Sequence, residues 1–335
     1  MQISKEYVDQ IDASLTPQLG MSKPIPILAS NNKKYFLKRQ YVVDQNGVPH
    51  NENAVFMQEL FVSQIANELR IPVPGCAILN LEQDFLNDNK DLQFKYHLTP
   101  GLYFGSEALS NVESNIVPEY KKAIVQKKPR IVRSWNTFFR NVSNSEVYSS
   151  IIALDLLTAN FDRFSNEGNI LVVNSNKERK VYALDFGHCF TSPYWNNQKA
   201  RFMQTVPEVG ENYSDYVKMI VSNYIGESNM PLVPLGTIFH GMQNNIFFEK
   251  GNPFKNIISK IEGISTEKLV SFLQQIPKDW VVGRELQINM YVHFIERNKF
   301  IVKYMLNSLY DLGAFSNSIG GQLLWKTEDI NYGIQ

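Results

Sequence analysis

Cysteine is nearly absent from this chain: two residues in 335, Cys76 and Cys189. Two thiols cannot build a disulfide framework and neither lies in a Cys-x-x-Cys pair, so stapled secreted folds are excluded and a reducing compartment is expected. Charge of one sign is also missing, with 33 Lys+Arg against 33 Asp+Glu. A protein devoted to gripping a phosphate backbone carries a basic surplus, so direct nucleic-acid binding is not expected. No run approaches the ~18 apolar residues that span a bilayer. The residues after Met1 lead into no apolar segment of a signal peptide, and a cytoplasmic location without a membrane partner is expected. The five histidines (His50, His97, His188, His240 and His293) are scattered without ligand spacing. HExxH, GxSxG and Walker A patterns are lacking, which removes zinc-protease, α/β-hydrolase and P-loop chemistry.

The composition that remains is that of a globular protein, 44% apolar and 20% charged, which excludes disorder, collagen and coiled coil for the whole chain. The first third reads as short strands around one helix. Pro24–Ala29 and Lys34–Val42 form a hairpin through Ser30-Asn31-Asn32-Lys33, because Asn tolerates positive φ. A helix runs from about Asn53 to Leu69 and is stopped by Ile71-Pro72-Val73-Pro74-Gly75. Cys76–Leu81 is a further strand, and 83–95 reads as a polar loop. The rest is mainly helical: Val147–Ala159, then 254–262, 266–275 and one long helix over 284–312. It is interrupted by the strands Ile170–Val173 and Lys180–Asp185 about a turn at Asn174–Lys177. The fold class is therefore α+β, a small mixed β part with one helix before a larger helical part. The boundary falls between 98 and 115, which divides the chain into 1–105 and 106–335. One basic stretch (Lys121, Lys122, Lys127, Lys128, Arg130, Arg133) reads as a solvated face rather than an anion-binding surface.

Four polar features break the apolar pattern. Strand alternation puts Lys38 on the face of Phe36, opposite Tyr35 and Leu37; alone, such a lysine is as well explained as a strand-edge guard against aggregation. Glu59 lies in the helical stripe Val55, Glu59, Val62, Ala66, Leu69, where a carboxylate needs a partner, and Lys38 is the natural one. Glu52 and Glu68 lie off that stripe and can be solvated. The segment Asn160-Phe161-Asp162-Arg163-Phe164-Ser165-Asn166-Glu167-Gly168-Asn169 is dense in Asp and Asn and ends at an apolar strand. The strand Ala183-Leu184 ends in Asp185-Phe186-Gly187. Phosphoryl transfer needs a carboxylate for the attacking hydroxyl, oxygen ligands for Mg²⁺ and a cation for the phosphates. The ordered set Lys38, Glu59, Asp162, Asn169, Asp185 supplies them in the order of a protein-kinase-like fold. Asp155, inside an apolar helix, is expected to brace the backbone of the Asp162 loop, and His188 to be structural.

These motifs, with Ser22-Lys23-Pro24, Ile71-Pro72-Val73-Pro74 and Tyr103-Phe104-Gly105-Ser106, resemble the short HipA-like kinases, distant kin of protein and phosphatidylinositol kinases. The resemblance covers roughly residues 8–310 and is diffuse outside the motifs. It implies a bilobal protein-kinase-like fold, a small N-terminal nucleotide-binding lobe and a larger catalytic lobe, with ATP and Mg²⁺ in the cleft. Lys38 would contact the phosphates and pair with Glu59; Asp162 would be the catalytic carboxylate; Asn169 and Asp185 would hold the metal. The backbone of Ser30 and Asn31 would touch phosphate, and the adenine-contacting linker would lie near 98–105. The γ-phosphoryl acceptor would be a hydroxyl, Ser or Thr of an unidentified protein. The first matching hairpin begins near residue 24, so the antitoxin partner of longer HipA-type toxins is not expected.

The chain departs from the family pattern in three places. Many relatives have the metal-binding Asn five residues after the catalytic Asp; here Asn169 follows Asp162 by seven and Asn166 by four, and Asn166 stays open as the alternative ligand. Phe164 stands where relatives often carry histidine, and the Ser30-Asn31-Asn32 turn has no glycine. A nucleotide-binding pseudokinase and a nucleotidyl-transferring enzyme of the same fold are the alternative functions.

Overall fold

The computed structural model describes residues 3–15, 23–44, 46–113, 125–126, 131–175, 177–225 and 235–325. The chain opens with β1 (Ser4–Ile11), β2 (Ile25–Ala29), β3 (Lys34–Leu37) and a short hairpin of β4 (Tyr41–Val43) and β5 (Pro49–Asn51). It continues through α1 (Val55–Glu68), β6 (Cys76–Leu81), α2 (Gln83–Asp88), α3 (Lys90–Phe94) and β7 (Gly101–Glu107). Five strands close into a barrel in the order β1-β2-β3-β7-β6. The ring is sealed by a parallel pairing of β1 with β6, Ser4 opposite Ala77. Alternation along β3 turns Tyr35 and Leu37 into the barrel, where they meet Val8, Ile27, Leu79 and Leu81, and leaves Phe36 on the outside. A Cβ on Gly105 would lie 2.5 Å from Leu79 Cδ1, so β7 passes through the crowded interior only without a side chain there. Because a closed barrel has no edge, Lys38 is not an edge guard; its N–H donates to Phe104 O at 2.9 Å, continuing the ladder beyond β3.

α1 is not the amphipathic helix its pattern predicts. Residues 55–66 are buried all round, because the helix lies within the large core shared with the helical part of the chain. It ends where Arg70 turns left-handed (φ 61°) and the Ile71 N–H closes on Ala66 O at 2.8 Å, with Pro72 preventing continuation. The expected polar loop at 83–95 is instead the two short helices α2 and α3. Their Leu86 and Leu92 drop into the barrel core, a two-residue anchor too sparse to show as a period.

The remainder comprises α4 (Ile131–Phe138), α5 (Val147–Leu157), the hairpin β8 (Ile170–Ser175) with β9 (Glu178–Ala183), α6 (Asn197–Met203), α7 (Ser214–Ile225) and α8 (Thr237–Gln243). Then come α9 (Lys255–Glu262), α10 (Thr266–Leu273), α11 (Arg284–Asn298) and α12 (Val302–Asp311). The expected single helix over 284–312 is thus two. Asn298 turns its amide onto Leu156 O and Leu157 O (3.1 and 2.7 Å), capping α5, and Lys299 donates to Ile264 O at 2.7 Å. Tertiary bonds at 298–299 break a run that local periodicity would continue. Of the basic stretch, Lys121, Lys122, Lys127, Lys128 and Arg130 lie outside the described residues, and of Arg133 only the backbone, in α4, is described.

The barrel joins the helical part through residues 108–113. Ala108 N–H donates to Lys34 O at 2.8 Å, Glu113 N–H to Val172 O at 2.8 Å, and Val112 bridges Val173 on β8. Residues 98–105, expected to hold a linker, mostly belong to β7; the connector begins after Glu107.

Candidate active site

A cleft of about 340 Å³ lies where the outer face of the barrel, α1, the 108–113 connector and the β8–β9 hairpin meet. Its lining includes the apolar Phe36, Phe104, Leu109 and Val112 and the polar Lys38, Glu59, Asp162, Asn169 and Asp185. That combination of apolar wall and a few convergent polar groups is the usual form of a small-molecule site.

Lys38 follows β3, Glu59 sits one turn into α1, and Asp185 follows β9. Lys38 Nζ lies 2.6 Å from Glu59 Oε1 and 2.8 Å from Asp185 Oδ1. The Lys38 and Glu59 side chains are 9% and 3% exposed, whereas Asp185 keeps 31%, so Asp185 is the member of the triad open to a ligand. Glu59 Oε2 also accepts the Phe186 N–H at 3.0 Å. Burial opposes the Lys38 charge, but Asp185 and Glu59 outweigh it and raise the pKa. Burial likewise opposes ionisation of Asp185, and the lysine overcomes it, lowering that carboxyl to about 2. Glu59 is pushed up by burial more than the lysine pulls it down. Asp185 has φ 63°, a left-handed conformation that a non-glycine residue holds only under constraint. Gly187, two residues on, would place a Cβ 3.1 Å from Val55 and 3.3 Å from Glu59 Oε1; glycine lets this segment lie against α1.

Asp162 is presented by the loop between α5 and β8. Its Oδ2 accepts from Asn169 Nδ2 at 2.7 Å and from Asn166 Nδ2 at 3.2 Å. Asn169 is buried and Asn166 exposed. Both candidate asparagines therefore reach the cleft, and with Nδ2 of Asn169 engaged its Oδ1 is left for other use. The loop is braced from beneath. Arg163 Nε lies 2.9 Å from both oxygens of Asp155, and its Nη1 donates to Asn169 O and Leu184 O at 2.5 and 2.7 Å. Its guanidinium lies over the Phe186 ring, 4.9 Å from the centroid. Asp155 thus acts through a side-chain ion pair that ties the ends of β8 and β9 together, rather than by the backbone bonding expected. Burial pushes Asp155 up to about 6 against the pull of Arg163. Phe164 packs against Tyr224 and Phe239 with centroids 4.9 Å away in each case: the position where the resemblance would put a histidine is core here.

Ser30 and Asn31 are not brought to the cleft. Ser30 Oγ donates to Glu6 Oε2 at 2.9 Å and Asn31 Nδ2 to Tyr35 Oη at 2.9 Å. The reason is topological. Ile25 at the start of β2 pairs with Leu37, next to Lys38, so the start of β2 stands at the lysine end of the strands and the β2–β3 turn at the other. Leu15 and Pro24 line the cleft. Glu52, which the stripe leaves free to be solvated, is buried and lines the cleft, 3.9 Å from His188 Nε2; it precedes α1, where a helical stripe says nothing. Burial raises its pKa.

No protein-family model matches the chain, and no curated protein matches it. Among solved structures, the proinflammatory kinase CtkA of Helicobacter pylori is similar over 92% of this chain and 98% of its own, with TM-score 0.50 and 12% identity. A Golgi casein kinase with Mn/ADP bound is similar over 97% of this chain and 76% of its own, at TM-score 0.38 and 14% identity, a likeness too loose to carry an argument. The first similarity shows a kinase-like fold. Among the described residues no helix is long and apolar enough to cross a membrane.

Proposed function

We propose that this protein is an ATP- and Mg²⁺-dependent phosphotransferase, HipA-like in kind, that moves the γ-phosphoryl group of ATP to a hydroxyl, a serine or threonine of a protein. The reading is carried by one observation: Lys38, Glu59 and Asp185, from three separate parts of the chain, make an ion-paired triad in the same cleft as the Asp162–Asn169 pair. We assign the residues before the 108–113 connector to a nucleotide-binding lobe and those after it to a catalytic lobe. The 105/106 division would cut β7, which runs to Glu107.

In this reading Lys38 holds the phosphates, and Glu59 keeps its ammonium from swinging into solvent. The donor set fits Mg²⁺. Asp185 and the Oδ1 of Asn169 are hard oxygens. Bound there, the ion supplies neutralisation of phosphate charge. Asn169 and Asn166 both bond Oδ2 of Asp162, fixing the carboxylate so that its other oxygen meets the proton of the incoming hydroxyl. Orientation and fixed charge, rather than covalent chemistry, do the catalysis.

The test is intact-mass analysis of the protein and a generic protein substrate after incubation with ATP and Mg²⁺. A gain of about 80 Da per site is expected for phosphoryl transfer, absent with Asp162→Ala. A gain of about 329 Da would mean adenylyl transfer instead, and ATP-dependent thermal stabilisation with no mass change would leave a binding scaffold.

A further inference from the structure

We infer that Lys199 is a positioning residue: through Gln58 it straps the segment after Asp185 onto α1, and so holds Glu59 and Asp185 about Lys38. The inference rests on the reading of the cleft as the nucleotide site. Lys199, on α6, is 1% exposed. Its Nζ donates to Ser192 O at 2.5 Å, to Cys189 O at 3.3 Å and to Gln58 Oε1. Three acceptors match the three N–H groups of an ammonium, and the ring centroids of Phe190 and Tyr291 lie 5.9 Å away. No carboxylate among the described residues lies within ion-pair distance of it.

Gln58 neighbours Glu59 on α1 and is fully buried. Its Oε1 also accepts from Tyr291 Oη at 2.6 Å. Its Nε2 donates to Gly187 O and, at 3.1 Å, to Ser192 O. The amide of Gln58 and the ammonium of Lys199 thus grip the same stretch, 187–192, from two sides. That stretch needs holding: Phe190 and Thr191 sit at φ 56° and 75°, following Asp185 at 63°, conformations unfavourable for these residues. Two more bonds extend the strap to the residues just before α1, Ala54 N–H to Pro193 O at 3.0 Å and Trp195 N–H to Asn53 Oδ1 at 2.7 Å.

A purely packing role would be met by methionine or leucine, since burying a lysine without a carboxylate is costly. Burial does push the Lys199 pKa well down. What the cost secures is a link between α1, which carries Glu59, and the segment that begins at Asp185. Lys38 joins the same two elements from the cleft side, at Glu59 and Asp185; Lys199 joins them from the opposite side, at Gln58 and at Cys189 and Ser192.

The test compares wild type with Lys199→Met, Gln58→Met and the double variant, by hydrogen–deuterium exchange and by ATP–Mg²⁺ affinity. Each single variant is expected to unfold cooperatively, to speed exchange in 186–192 and the start of α1, and to bind ATP–Mg²⁺ more weakly, each on the order of tenfold; the double variant is no worse than the poorer single. Should Lys199→Met not fold, Gln58→Met carries the same test. Unchanged exchange in 186–192, or loosening spread evenly over the molecule with unchanged nucleotide affinity, overturns the proposal. A wild type that does not bind ATP–Mg²⁺ overturns the nucleotide reading, and the exchange comparison still decides whether Lys199 is the strap.

Discussion

Replacing Lys38 by methionine isolates the energetic centre of the cleft. The ammonium stands 2.6 Å from Glu59 and 2.8 Å from Asp185. Without it, the Glu59 carboxyl, 3% exposed, keeps the Phe186 N–H as a partner and must either hold an uncompensated charge or take up a proton. Breaking a buried ion pair from one side costs about 3–5 kcal/mol. Asp185, 31% exposed, recovers part of its hydration, which puts the expected loss near the lower end, about 3 kcal/mol. For a chain of this length that lowers the melting temperature by roughly 4 °C. Adding Glu59→Gln removes the stranded charge, so Lys38→Met/Glu59→Gln should recover about 2 kcal/mol relative to Lys38→Met alone. The deficit should also shrink at low pH. Burial raises the Glu59 pKa even with the lysine present; without it the folded form binds a proton more readily than the unfolded chain, so the variant gains stability relative to wild type as pH falls from 7 towards 5. Urea denaturation followed by circular dichroism, at both pH values, measures all of this. Additive losses in the double variant, or no loss in Lys38→Met, would refute the reasoning.

Asp162→Ala should reduce phosphoryl transfer by about 10²–10⁴-fold while ATP–Mg²⁺ binding persists, read by radiolabel transfer beside calorimetric titration. Asp155→Ala leaves Arg163 buried without its carboxylate and should cost about 3–5 kcal/mol, measured by thermal denaturation. Asp155 also gives a pH signature. Its folded pKa is raised to about 6 from 3.8, so the folded form holds the proton longer, and its contribution is lost as pH rises from about 4 to 6, by about 3 kcal/mol. Asp155→Asn should flatten that limb of the stability profile. Gly187→Ala should push Val55 and Glu59 aside by a few tenths of an ångström and weaken nucleotide binding by about tenfold with little change in melting temperature, checked by titration and calorimetry; affinity equal to wild type would contradict the close packing.

The polar centre of the cleft was legible because each member interrupts an apolar pattern: Lys38 beside Phe36, Glu59 in a buried helix, Asp185 at the end of a strand. Burial of a carboxylate demands a partner, and that demand pairs Lys38 with Glu59 before any coordinates are known. The contact of Lys38 with Asp185 and the convergence of both asparagines on one Asp162 oxygen were not legible, since they depend on where α1 and the β8–β9 hairpin come to rest. β1 was missed because SKEYVDQI has little apolar alternation; its strand character comes from pairing with β2 and β6. With β1 in place, the side of the barrel next to Lys38 carries Leu15 and Pro24, and the Ser30-Asn31 turn lies at the far end of β2 and β3. Gln58 and Lys199 show the opposite limit. A glutamine and a lysine carry no pattern of their own, and only the fold reveals that they meet across 141 residues.

The most direct test is a crystal structure with a non-hydrolysable ATP analogue and Mg²⁺. The expected result is triphosphate density beside Lys38 Nζ, with a metal ion ligated by Asp185 and by Asn169, or by Asn166 in its place. A nucleotide bound elsewhere, or a metal touching none of these side chains, would contradict the assignment of the cleft.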